Sequence, residues 1–419
     1  MLDISPATCT ATLSEQYHQV RNRTLELTQG LSVEDMMLQS MPDASPTKWH
    51  LAHTTWFFEQ FILSRWVNHY RCFDPNFNFL FNSYYESVGE RHPRPIRGLL
   101  SRPSHQQVLD YRTHVDRAIG RLAVDLPLEE DPELSERLII GLHHEMQHQE
   151  LILTDIKHAL AQNTVMQPRL PPDPPGSQAD RKFSTFSETL TTVGADEAGF
   201  SYDCERPRHR VFLERFELRN SPISNGEWLA FMADGGYHQS GHWLSDGWDL
   251  CQQNAWQAPL YWHHLDGEWH ELTFWGYRPV NPHAPVCHIS FYEADAFCRW
   301  AGWRLPTEFE WEYGAARASA PSQGHYAESG HWHPKAASGK GLQQFYGDVW
   351  EWTSSAYCAY PGFTPAQGAL GEYNGKFMAN QFVLRGGSCA TARDQMRPSY
   401  RNFFYPHQRW QFSGVRPAR

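Results

Sequence analysis

The sequence predicts a multidomain α and α+β protein: an N-terminal four-helix bundle followed by a loop-rich α+β domain. Three observations carry this reading. The chain has 419 residues, more than a single hydrophobic core commonly organises. Residues 1–165 contain long stretches poor in Gly and Pro, with apolar side chains at helical spacing. A Pro-rich linker at 166–180 separates them from residues 181–419, where Gly, Trp and short alternating runs dominate.

In chain order, residues 10–29 read as a first helix. Ser45-Pro46 opens a second, with Ser as N-cap and Pro in the first turn. Along it Trp49, His53, Trp56, Phe57 and Gln60 share one face. A third helix follows Pro103-Ser104 and ends near residue 124, and a fourth spans 131–162. Helices of this length suggest an up-down bundle. Between the second and third lies a long loop, 77–103, too rich in aromatic residues and Arg for a disordered segment. Beyond the linker, 186–194 (FSETLTTVG) and 210–219 (RVFLERFELR) read as strands, and only 222–233 and 290–301 as helices.

Composition narrows the function. The hydrophobic share of 41% and aromatic share of 14% belong to a folded protein. A net charge of -11 argues against nucleic acid as partner, because phosphate recognition needs a basic surface. No apolar run approaches a membrane span, and the N-terminus lacks the pattern of a secretory signal. None of the eight cysteines forms a C-x-x-C pair. Reduced thiols and a cytoplasmic location are the expectation.

The sharpest local signal is His144-Glu145-Met146-Gln147-His148. Histidines at i and i+4 lie on one helix face and can chelate one ion; equally, they can be polar residues on a solvated face. His53 lies in the aromatic stripe of the second helix and could face that pair across a bundle core. Three neutral nitrogen ligands leave coordination positions open for substrate and oxygen. The same five residues spell the zinc-hydrolase motif H-E-x-x-H, with Glu145 as general base, but its extended downstream ligand is absent.

Several separate stretches, LAH (51–53), SYYESVGERHPRPIRGLLSRP (83–103), HHEMQHQE (143–150) and YRNFFYPHQRWQFSG (400–414), resemble the ergothioneine-biosynthesis sulfoxide synthases, a nonheme iron family. The resemblance covers essentially the whole chain. It implies a DinB-like helical domain and a formylglycine-generating-enzyme-like domain with a C-type-lectin-like core. Markers of the latter are 285–316, GDVWEW (347–352) and RGGSC (385–389). It also implies Fe(II) held by His53, His144 and His148, with neighbouring His50 and His143 outside the ligand set and Glu150 orienting an imidazole.

The implied reaction joins a thiol to the imidazole ring of hercynine with O2 and leaves the sulfur as a sulfoxide. Tyr84 and Tyr85 resemble the paired tyrosines of the cysteine-using branch, which deliver a proton or electron. Arg94 and Arg97 resemble the pair that anchors the thiol substrate, while Gln147, Asn402 and Phe403 resemble hercynine-binding positions. The aromatic face of Phe403 or Trp410 suits a trimethylammonium. Where the γ-glutamylcysteine branch has an acidic residue, this chain has Phe404, which favours L-cysteine as the thiol donor.

The main alternative is a selenoneine synthase, which couples a selenosugar to hercynine at the same iron triad. A formylglycine-generating oxidase would need a second cysteine after Cys389, and none follows. A DinB-type thiol transferase would need neither the tyrosine loop nor the second domain. A lectin-like binding module would leave the three histidines unexplained.

Overall fold

The helical half starts at α1 (Leu13–Leu27) and continues with α2 (Thr47–Phe58), which runs through a π-turn (Glu59–Leu63) into the single turn α3 (Ser64–Trp66). The short α4 (Phe77–Phe81) and a 3-10 turn (Arg94–Leu99) lie in the long connection, before α5 (His105–Asp125) and α6 (Pro132–Ala161). In this computed structural model residues 11–419 are described, apart from 164–168, 174, 175, 178, 319, 366–370, 372 and 373. Part of the Pro-rich linker therefore lies outside the described residues. The chain divides into two units, Met1–Ile156 and Lys157–Arg419.

Helices α1 and α5 start on reciprocal capping boxes, Thr12 with Glu15 and Ser104 with Gln107. Helix α2 starts otherwise. Pro46 takes the cap position and no side chain caps the helix. Ser45, expected as N-cap, is engaged by tertiary partners: its hydroxyl accepts from Arg97 Nη1 at 3.0 Å and its N–H donates to Asp155 at 2.8 Å. All twelve residues of α2 are buried, polar ones included. A helix without a solvent face belongs in the centre of a core, and its polar side chains must then find partners inside it.

In the second unit, the two sequence runs read as single strands are each broken. β1 (Phe183–Phe186) and β2 (Thr189–Val193) pair antiparallel with β4 (Phe216–Arg219) and β3 (His209–Leu213) respectively. Polar pairs, Ser187-Glu188 and Glu214-Arg215, mark the breaks. Helices α7 (Asn225–Ala233) and α8 (Ser245–Gln253) follow, then the meander β5 (Trp262–Leu265), β6 (Glu268–Thr273) and β7 (Gly276–Pro279). Next come α9 (Phe291–Trp300) and α10 (Glu308–Ala315). Finally β8 (Trp350–Ala356), β9 (Phe382–Arg385), β10 (Asn402–Phe404) and β11 (Ser413–Gly414) form one sheet in the order β10-β9-β8-β11.

Helices α8 and α10, 9 and 8 residues long, add to the two expected from the sequence. α7, α9 and α10 all begin on Ser or Thr boxes with Glu227, Glu293 and Glu310. The core gathers Phe216, Leu218, Trp311, Phe345 and Tyr346. Long irregular segments are tied to it by buried ion pairs, among them Arg416 with Glu351 at 2.8 Å and Arg401 with Glu308 at 2.8 Å. Gly347 is required by space: a Cβ there would stand 2.2 Å from the carbonyl oxygen of His325, and its φ is +78°.

Candidate metal centre

Helix α2 brings His53 inward between two indoles of its own helix. Trp49, one turn earlier, stacks on the imidazole at 4.6 Å and 12°, and Trp56, three residues later, at 5.6 Å and 18°. The ring's Nδ1 lies 2.6 Å from the carbonyl oxygen of Phe81. A carbonyl only accepts, so Nδ1 carries the hydrogen and Nε2 is the bare nitrogen. That Nε2 lies 3.1 Å from His144 Nε2. His148, one turn along α6, closes the group, with ring centroids 4.6 Å from His144 and 4.7 Å from His53. One nitrogen from each ring lies within 4.8 Å of those of the other two.

Electrostatics keep these rings neutral. Burial pushes His144 down to about 3. Burial likewise holds His53 and His148 well below the ordinary histidine value, and the neighbouring imidazoles and Arg97 add to it. Neutral imidazole is the form that binds a metal. Two imidazole nitrogens facing each other at 3.1 Å need a proton on one of them or a cation between them. The donor set of three buried neutral nitrogens fits Fe(II) as it fits other divalent first-row ions.

Glu145 has no role as a general base. Its Oε2 pairs with Arg21 Nη1 at 2.9 Å, and its Oε1 with Arg112 Nη2 at 3.0 Å and the Thr24 hydroxyl at 2.7 Å. Burial alone would raise its carboxyl, but Arg21 and Arg112 outweigh it and bring the value down to about 2. Both oxygens are consumed, and a carboxylate so stabilised is a poor proton acceptor. The zinc-hydrolase reading fails on this geometry.

The other predicted residues fall in two places. In the first unit, Tyr85 is fully buried against Trp56 and Phe61, at 5.7 and 5.1 Å, and Tyr84 lies 4.6 Å from it. Trp56 thus touches both Tyr85 and His53. Asn82 shapes this loop by bonding both N and O of Tyr85. Arg97 is buried, with its guanidinium 3.4 Å over the Trp49 ring. Among the described residues no carboxylate pairs with it and its Nε has no partner. Arg94 is exposed and bonds the carbonyl of Asp43, so the two arginines stand in unlike environments. Gln147 and Glu150 are half-buried on α6. At His148 Nδ1, the orienting place expected of Glu150 is taken by His50, 2.7 Å away.

In the second unit, Asn402, Phe403 and Phe404 form β10, half-buried and paired with Leu384, Val383 and Phe382. Phe403 stacks on Tyr357 at 4.0 Å, and the Asn402 side chain accepts from the Phe403 N–H. Trp410 is buried. Cys389 is buried in the same unit, and no disulfide occurs among the described residues.

Comparison with known proteins agrees with this architecture. Residues 16–152 match the DinB superfamily, and 177–340 with 333–419 match the sulfatase-modifying factor enzyme 1-like domain. A "Hercynine oxygenase" of Mycolicibacterium thermoresistibile is 33% identical, covering 97% of this chain and 94% of that protein. Another, of Mycobacterium tuberculosis, is 32% identical over 96% of both. "Ergothioneine biosynthesis protein 1" of Schizosaccharomyces pombe is 28% identical over 52% of this chain, which covers 27% of that longer protein. With both domain families present in order and a third of its residues shared along nearly its whole length, the chain belongs to the hercynine oxygenases, the family of ergothioneine-biosynthesis sulfoxide synthases.

Proposed function

We propose that the chain is an Fe(II)- and O2-dependent sulfoxide synthase. It joins the sulfur of L-cysteine, or of γ-glutamylcysteine, to the imidazole ring of hercynine. The observation that carries this reading is the convergence of three neutral imidazoles, with two facing Nε2 atoms 3.1 Å apart, inside an oxygenase-family helical unit. Fe(II) held by His53, His144 and His148 would acidify a bound thiol and bring it together with O2.

The chain's own groups supply the rest. Arg97 is a buried cation without a carboxylate among the described residues, which costs several kcal/mol unless something answers it. The Trp49 face offsets part of that, and a substrate carboxylate would complete the pairing bidentately. Arg94, exposed, would contribute from the rim. Tyr85, with the Tyr84 ring tilted against it, would hold the proton or electron that turns the reaction away from plain thiol oxidation. Gln147, on α6 between the ligand positions, would orient hercynine; Asn402 and Phe403, in the second unit, stay hercynine-binding positions on the resemblance alone. Phe404 offers no carboxylate to a substrate amine, which supports L-cysteine as donor.

The test is an aerobic assay of iron-loaded protein with hercynine, read by mass spectrometry, each donor supplied separately. Hercynylcysteine sulfoxide from L-cysteine is the expected product. Coupling with a selenosugar alone would move the chain to selenoneine synthesis. No coupling with any donor, despite bound iron, would overturn the reading.

A further inference from the structure

His50 adjoins the ligand helix turn without belonging to the ligand set, and both of its ring nitrogens are engaged. Its Nδ1 lies 2.7 Å from His148 Nδ1, and its Nε2 lies 3.1 Å from Asp155 Oδ2. All three side chains are buried. We propose that His50 and Asp155 are positioning residues that hold His148 in the one tautomer able to bind a metal. This inference rests on the metal reading above and deepens it.

A carboxylate only accepts, so the bond to Asp155 places the hydrogen of His50 on Nε2. The Nδ1 of His50 is then the lone-pair nitrogen. His148 must meet it with Nδ1–H, because two lone pairs at 2.7 Å repel. That leaves His148 Nε2 bare, as a ligand atom has to be. Read from the metal end, the result is the same: an Nε2 given to a cation puts the hydrogen on Nδ1, and only an acceptor at His50 satisfies it. His53 meets the same need with the carbonyl of Phe81. His148 has no backbone carbonyl in that place, and a second imidazole oriented by a carboxylate stands in for one.

Asp155 is itself held in place. The Ser45 N–H donates to the same Oδ2 at 2.8 Å, and the Ser45 hydroxyl accepts from Arg97 Nη1 at 3.0 Å. Ser45 therefore touches both the orienting chain and the arginine assigned to substrate. Partners that fix a ligand imidazole in this way are commonly worth about 10–100-fold in metal affinity.

The experiment uses the full chain and titrates Fe(II) anaerobically and Co(II) aerobically, recording affinity and the Co(II) visible spectrum. His50→Leu removes the acceptor. His50→Asn puts a carbonyl oxygen close to where Nδ1 stands. The expected result is an affinity lower by about 10–100-fold for His50→Leu with an altered Co(II) spectrum, and recovery of most of the loss in His50→Asn. Wild-type affinity and spectrum in His50→Leu would overturn this inference alone. Equal losses in both variants would also overturn it, since they would point to packing. A wild-type chain that binds neither ion would overturn the metal reading and this inference with it.

Discussion

Replacing Glu145 by Gln separates two roles that the motif H-E-x-x-H leaves open. In the structure the carboxylate neutralises Arg21 and Arg112, all three essentially without exposure. Glutamine keeps one acceptor oxygen and the volume but removes the charge, leaving Arg112 with no carboxylate and Arg21 with Asp116 alone. Breaking a buried pair from one side costs about 3–5 kcal/mol. The carboxyl's own titration gives a similar figure. A folded value of about 2 against an ordinary 4.5 corresponds to about 3 kcal/mol. For a unit of this size that lowers the thermal midpoint by about 6–20 °C.

The sign with pH follows from the depressed value. The stabilisation is present above pH 4.5 and is lost as pH falls towards 2. Thermal unfolding of wild type and variant by circular dichroism, stepped from neutral to acid pH, reads both effects. The gap between the two proteins should be widest at neutral pH and close on acidification. An unchanged midpoint together with abolished turnover would refute the reasoning and make Glu145 a base.

Three further outcomes follow from the site. His148→Ala should abolish iron loading, measured by metal analysis, and turnover with it; retained iron and activity would break the triad. Tyr85→Phe should shift products from the coupled sulfoxide towards oxidised cysteine, and an unchanged product ratio would remove that phenol from the chemistry. Arg97→Gln should raise KM for the thiol by about 10–100-fold, the worth of a lost charged hydrogen bond. It should not lower the thermal midpoint, because the removed charge has no carboxylate partner among the described residues; an unaltered KM would refute the anchoring role.

Much of this fold can be read from local signals. Helices α5 and α6 lie within a few residues of expectation because a capping box and a Pro mark their starts. Five helices begin on Ser or Thr followed three residues later by Glu or Gln, and α10 carries that signal at Thr307 and Glu310 although it was not expected. What escaped is what tertiary partners decide. Ser45 reads as a cap until Arg97 and Asp155 claim it. The three histidines were legible because i and i+4 spacing and the aromatic stripe are properties of single helices. The place of His50 is not legible in the sequence because it depends on Asp155, more than 100 residues away. The zinc-hydrolase alternative for Glu145 is weakened in the sequence only by its missing downstream ligand, because the motif is silent about Arg21 and Arg112.

The wholly buried α2 also bears on how such a site can diversify. Each of its side chains fills space or answers a partner in the interior, so a change anywhere on it must conserve volume and hydrogen bonding together. The substitutions that helix can accept are near-isosteres. The connection from 77 to 103 is built differently, with exposed or half-exposed side chains at Tyr84, Glu86, Arg91, Arg94 and Leu99 between a few buried fixtures. Residues there can be exchanged without disturbing the histidines. A lineage adapting to a new second substrate would find its latitude in that loop and leave the helix alone.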